Sequence, residues 1–391
     1  MRARFRARDH AGHRICRLEA GKVLHAILRR ETTRAHRYCF STRHGAAGGI
    51  PVKVLKRLLI AVVAILVIVI VIGLLLPRTR HVERSVEIDA PASVVFAQIN
   101  GFRTFNDWSP FMAVMPDASY EFAGVDYGVG SKITWEVPGP KPESGSQTIV
   151  ASTPYERVDV ELDLGPQGEA QSAYLLQEIN GGTRLTWTFD TDFGLDIPGR
   201  YWGLFLDRQL GPLYAQGLSN LKRIAESLPR VDWSDLEIGL TVVPSTTIAY
   251  ATGSSGPDPT EISAALAATY GRVLGFVSTN GLQLAGQPLA ITNFWDDRGW
   301  GFDAGIPVSG TPTRGAGPDS LVRMGETYGG RVVRAVHVGP YTNLENTSAK
   351  VEAFIVAHRL EKNGRQWEVF VSDPGNVPEN ELLTEVYYPV K

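Results

Sequence analysis

The chain has 391 residues, enough for two ordinary domains with full cores plus appendages. Its net charge of −2 hides a split: residues 1–57 carry 15 Lys+Arg against Asp9, Glu19 and Glu31, whereas from residue 81 onward 22 basic residues face 38 acidic ones. The acidic body would repel phosphate backbones, so no nucleic-acid partner is expected. Both cysteines (Cys16, Cys39) and five of the eight histidines sit in the leader, which excludes disulfides, thiol chemistry and a Cys or His metal site from the body. No cofactor is expected either.

Residues 1–52 form a basic leader without apolar periodicity. Two readings stay open: an over-long start, with translation beginning near Val52, or a basic tail that touches anionic headgroups. Residues 53–80 read as a membrane anchor. Their stretch 58–76, LLIAVVAILVIVIVIGLLL, contains no polar side chain and would span about 28 Å as a helix, so membrane lipid is an expected partner. No small-residue cleavage site follows, which favours an uncleaved single-pass anchor. Near flanks balance, Lys53, Lys56 and Arg57 against Arg78, Arg80 and Arg84. The whole leader, if present, keeps the N-terminus cytoplasmic and puts the body on the extracytoplasmic side of the cytoplasmic membrane.

In 82–228, the alternation of VERSVEIDA predicts a half-buried strand, Pro91 opens a short helix, and a run of strands separated by Gly, Pro and Asn-Gly-Gly turns follows. Residues 201–228 close the domain as a long amphipathic helix with Leu204, Leu210, Leu213, Leu218, Leu221 and Ile224 on its apolar face. VERSVEIDAPASVVFAQI, FNDWSPF, VGSKITWEV and GGTRLTWTFD resemble the START-like (SRPBCC) superfamily that includes polyketide cyclases and plant pathogenesis proteins. That resemblance implies a helix-grip fold holding an apolar ligand between a curved sheet and the final helix. Trp108, Trp135, Trp187, Phe189 and Phe205 are the candidate cavity residues, with plain core filling as the alternative.

Residues 229–233 read as a linker, and 234–391 contain a duplication. Strand, helix, strand, strand occurs at 246–308 and again at 331–390, each half ending on Pro-Val, so a pseudo-twofold pair with a cleft between the halves is expected. HVGPY (337–341), WEVFVSDP (367–374) and LLTEVYYPV (382–390) resemble the GyrI-like effector-binding domain of drug-sensing transcription activators. No helix-turn-helix precedes it here, so the regulators' DNA-binding role is not carried over. The fold class expected is therefore α+β: an N-terminal transmembrane helix, a helix-grip domain and a duplicated effector-binding domain.

Within 367–371, period-two alternation puts Trp367, Val369 and Val371 on one face and Glu368 beside Phe370 on the other. A carboxylate beside an aromatic ring needs a partner, a proton or a cationic ligand when buried. The resemblance implies that Glu368 sits in the central cleft and recognises cationic or polarised ligands. Tyr341, Phe370, Tyr387, Phe294, Trp295 and Trp300 are the candidate rings, and Ala290 occupies the matching place in the first half. The bland alternative pairs Glu368 with Arg331 or Arg334, or leaves it exposed. The function expected is a membrane-anchored small-molecule binder, sensor or carrier. One alternative is a hydrolase using Glu368 and Tyr341, and another is a protein-interaction module with closed clefts; oligomeric state is not legible.

Overall fold

The computed structural model describes residues 52–140, 142–313 and 320–391; the basic leader, with both of its readings, lies outside them. Helix α1 (Val52–Leu75) covers the apolar run, and at 24 residues it extends about 36 Å, long and apolar enough to cross a bilayer. Gly73–Lys391 form one compact unit.

The first part of that unit runs β1 (Thr79–Ile88), α2 (Ala92–Ile99), the single turns α3 (Phe105–Trp108) and α4 (Phe111–Val114), and β2 (Ser119–Ala123). Then come β3 (Lys132–Val137), β4 (Glu143–Thr153), β5 (Arg157–Asp163), β6 (Glu169–Ile179), β7 (Gly182–Asp192), α5 (Ile197–Trp202) and α6 (Leu206–Ser227). All seven strands are antiparallel, ordered β1-β7-β6-β5-β4-β3-β2. The long closing helix buries Leu206, Tyr214, Leu218, Leu221 and Ala225, spaced to share one face, against the sheet. Gly217 admits Trp187 and Pro110 so closely that a Cβ there would lie 2.9 Å from each.

The aromatic residues expected to line a cavity here are mostly core. Trp108, Trp187 and Phe189 are 1%, 2% and 6% exposed. Trp187 stacks on Tyr214 at 3.8 Å and meets Trp108 edge-on at 5.3 Å, and its Nε1 donates to Ser172 Oγ at 2.9 Å. Trp108 and Trp187 thus pack ring against ring, the arrangement of the core-filling alternative. Phe205 is exposed at the start of α6. Trp135 stands apart: opposite Tyr120 and over Gly145, it borders an open groove of about 540 Å³ at the β2–β4 end of the sheet.

The second part runs β8 (Glu237–Val243), β9 (Thr247–Ser255), α7 (Pro259–Thr279), β10 (Gln283–Leu284), β11 (Leu289–Asp296) and β12 (Gly299–Ser309). It continues with β13 (Arg323–Glu326), β14 (Gly330–Val338), α8 (Leu344–Ala357), β15 (Trp367–Phe370) and β16 (Leu383–Pro389). The sheet order is β13-β9-β12-β11-β15-β16-β14-β8, with β10 pairing β12 off this path. The duplicated halves β9-β12-β11 and β14-β16-β15 therefore meet at the β11–β15 pair. The edge strands β13 and β8 are drawn together at one end. Thr327 and Thr246 exchange hydrogen bonds, and the Ser245 hydroxyl donates to the Thr327 carbonyl. The sheet curls around Ile248, Leu289, Ile291, Val332 and Trp367, and its other face carries α7 and α8. Asp258 caps α7 by accepting from the backbone N–H of Thr260 and Glu261 at 2.8 and 3.3 Å.

The two parts share one hydrophobic core. Trp233, in the expected linker, is 1% exposed and packs edge-on to Phe354 of α8 at 5.8 Å. Buried Gln98 of α2 donates to the Ala357 carbonyl, and the Tyr127 hydroxyl donates to the His358 carbonyl, each at 2.9 Å. Burial holds the His358 imidazole down at a pKa of about 4, so it is neutral across the physiological range. Arg331 pairs with Asp126 and Arg359 with Asp107, closing the rim.

Candidate functional site

Across the β11–β15 pair, Ala290 lies directly opposite Glu368, and Val386 of β16 is its neighbour on the other side. The lone acid thus stands next to the pseudo-twofold axis, on the face that carries the helices and between their footprints. Glu368 is 9% exposed, and its Oε2 has no hydrogen-bond partner among the described residues. Desolvation pushes its carboxyl up to about 8, against a smaller opposing pull from its own backbone N–H. The carboxyl is therefore protonated at neutral pH. Neither arginine weighed as a partner reaches it. Arg331 goes to Asp126, and Arg334 forks to Glu385 and Glu237 on the other face of the sheet. Thr384 Oγ1, also fully buried and unpartnered among the described residues, shares the Glu368 face from the adjacent strand.

On its face of the sheet Glu368 has Ala290 and Val386 as cross-strand neighbours and Phe370 two residues along β15. Phe370 packs against a sheet cluster of Ala290, Trp300, Phe302 and Ala304, onto which Ile262, Leu266 and Tyr270 of α7 also pack. Tyr341 meets Phe370 edge-on at 5.5 Å. Burial raises both tyrosine hydroxyls above their ordinary range, with the charges of Glu368 and Tyr341 adding to the effect on Tyr270. Tyr270 donates to the Leu289 carbonyl at 2.8 Å, which fixes its ring beside the acid's strand.

HVGPY forms the mount for Tyr341. His337, 5% exposed, donates from Nε2 to the Pro340 carbonyl at 3.1 Å, which leaves Nδ1 to accept from the Thr347 hydroxyl at 2.7 Å. Gly339 turns the chain at φ +126°, which a Cβ would strain. His337→Ala should therefore loosen this turn while the sheet persists. The expected result is a loss of about 1–3 kcal/mol in stability from the orphaned groups and faster hydrogen exchange at 339–344 by mass spectrometry. Unchanged exchange there would contradict the role.

Residues 240–391 match the family described as GyrI-like small molecule binding domain, and residues 79–226 match polyketide cyclase / dehydrase and lipid transport. The body is a polyketide cyclase-type domain followed by a GyrI-like domain. Solved structures similar to this chain include an EcmrR–DNA complex, with 14% identity over 50% of this chain and 71% of that one, at a TM-score of 0.37. An uncharacterised conserved protein from Listeria innocua matches with 18% identity over 43% of this chain and 96% of that one, TM-score 0.31. A hydrolase from Listeria innocua matches with 19% identity over 39% and 91%, TM-score 0.29. No curated protein matches the chain.

Of the rings expected in the GyrI-like cleft, Phe370 shares the Glu368 face two residues along β15, Tyr341 meets Phe370 edge-on, and Trp300 belongs to the cluster against which Phe370 packs. Trp295 extends the row outward, 6.0 Å from Trp300 and 56% exposed. Two do not join. Tyr387 lies opposite Trp367 and stacks on it at 4.9 Å, on the inner face of the curled sheet, where its hydroxyl donates to Glu385. Phe294 lies over Gly301, also on the far face, because a bulge between Thr292 and Phe294 reverses the alternation. Conversely, Ile262, Leu266 and Tyr270 join this cluster from α7, and their spacing of four along a helix is the sequence signal that places them on one stripe.

Proposed function

We propose that the chain is a membrane-anchored small-molecule-binding protein whose GyrI-like cleft takes hydrophobic organic cations, with Glu368 as the recognition carboxylate. The supporting observation is the buried acid itself, its Oε2 unpartnered among the described residues, with Phe370 on its face of β15 and its charge felt at Tyr270. A cation supplies the counter-charge that the protein does not, and the rings add cation–π attraction of roughly 0.5–2 kcal/mol each. Helix α1 serves as the anchor, and the basic leader favours an extracytoplasmic body. An apolar ligand of the cyclase-type domain would enter at the Tyr120–Trp135 groove rather than among the packed tryptophans.

Thermal-shift titration of the full chain with tetraphenylphosphonium tests this reading. The wild type should be stabilised and Glu368→Gln should not, while Tyr387→Phe behaves as wild type. No shift in either protein would leave the closed-cleft interaction module standing. A hydrolase reading rests on the same carboxyl, whose pKa near 8 suits a general acid beside Tyr341. Turnover that vanishes in Glu368→Gln while binding persists would favour it.

A further inference from the structure

The cyclase-type domain carries an exposed apolar cluster where the chain leaves the apolar run. Leu195 is 84% exposed, Phe205 54%, Leu204 49% and Trp202 47%, all in or beside α5. Exposed side chains of this size, gathered in eleven consecutive residues, mark an interaction surface rather than scattered surface apolars. Their position relative to the end of the apolar run is fixed by contacts. A Cβ on Gly73 would collide with Ile197 and Tyr201, so α5 lies against that turn. Arg200, 7% exposed, donates from Nη1 to the Leu74 carbonyl at 2.7 Å and the Leu76 carbonyl at 3.3 Å, satisfying the acceptors a helix end leaves open.

The apolar run ends at Leu76, and Gly73 lies about 4.5 Å before that end along a helix. Ile197 and Tyr201 are therefore level with the last apolar turn. The neighbouring Trp202 and Phe205 fall at the depth where aromatic side chains anchor proteins to headgroups. Arg80, held against Gly203, has Nε and Nη2 shielded and without a hydrogen-bond partner among the described residues.

We propose that residues 195–205 are an interfacial element that docks the cyclase-type domain onto the bilayer surface through Leu195, Trp202, Leu204 and Phe205. The inference rests on α1 spanning the bilayer, and its test separates the two claims. Full-chain variants with Cys16 and Cys39 changed to Ser carry one cysteine each, from W202C, F205C, I65C or V242C, labelled with NBD and placed in phosphatidylcholine/phosphatidylglycerol nanodiscs. Val242 is 74% exposed on the GyrI-like domain and serves as the water-facing control. Labels at 202 and 205 should be quenched at least twofold more by lipids brominated near the headgroup than the label at 242, and less by iodide. A label at 65 that escapes lipid quenching overturns the spanning helix, and the docking with it. A quenched label at 65 with iodide-accessible labels at 202 and 205 overturns the docking alone. Labels at 202 and 205 shielded from both quenchers mean that another protein surface, such as a second copy, covers the patch, and this too overturns it.

Discussion

Tetraphenylphosphonium should bind this protein about fiftyfold more tightly at pH 8 than at pH 6, with at most about twofold further gain above pH 8. In the free protein Glu368 keeps its proton up to about pH 8. A bound cation needs the carboxylate, so binding releases that proton, and affinity rises up to tenfold per pH unit until the free carboxyl is itself ionised. The same shift acts on stability with the opposite sense. Between the unfolded pKa of 4.5 and the folded value near 8, the folded state holds one more proton than the unfolded state. Stability of the free protein therefore falls as pH rises through that window, by on the order of 4 kcal/mol in all. Glu368→Gln should remove both slopes: its affinity for the cation stays low and flat with pH, and at pH 8 it melts several degrees above the wild type. Calorimetric titration and thermal melts at pH 5, 6, 7 and 8 check each slope. A wild-type affinity independent of pH would contradict the protonated free state.

Trp233→Ala should unfold both domains together. The side chain is 1% exposed and belongs to the core shared by the cyclase-type sheet and α8, so the cavity costs about 3–5 kcal/mol. At roughly 2 °C per kcal/mol, the melting temperature falls by ~6–10 °C. Because Gln98, Tyr127 and Trp233 all hold the C-terminal end of α8, hydrogen-exchange protection should drop in β6 and β7 and in β14 and β16 alike. Loss confined to one domain would contradict a shared core. The segment that looks like a linker in the sequence acts as a joint, because Trp233 faces inward from both sides.

How far the sequence speaks depends on which physical regularity carries the information. Alternation and turn residues foreshadow both antiparallel sheets. The repeated strand-helix-strand-strand pattern foreshadows the β11–β15 junction, where Ala290 and Glu368 turn out to be register partners. Register between strands separated by a long loop is another matter. Residues 371–382 separate β15 from β16, and pairing Tyr387 with Trp367 instead of Glu368 moves it to the other face. The bulge at Thr292–Phe294 does the same to Phe294, and nothing in the local sequence announces it. The rings of the cyclase-type domain were visible, but whether they line space or fill it depends on the close approach that Gly217 permits to α6. The arginines near Glu368 in the chain are absorbed by Asp126, Glu385 and Glu237, partners up to 205 residues away, which local reading does not reveal.

Whether Glu368 is the charge that recognises a cation comes down to one titration. The full chain and Glu368→Gln are titrated at pH 8 with tetraphenylphosphonium and with neutral triphenylphosphine oxide, which offers similar rings without the charge. The wild type should prefer the cation and the variant should lose about 2–4 kcal/mol of that binding, thirtyfold or more, with the neutral compound unaffected. Equal affinity of both proteins for the cation would contradict it and leave Glu368 a buried structural acid.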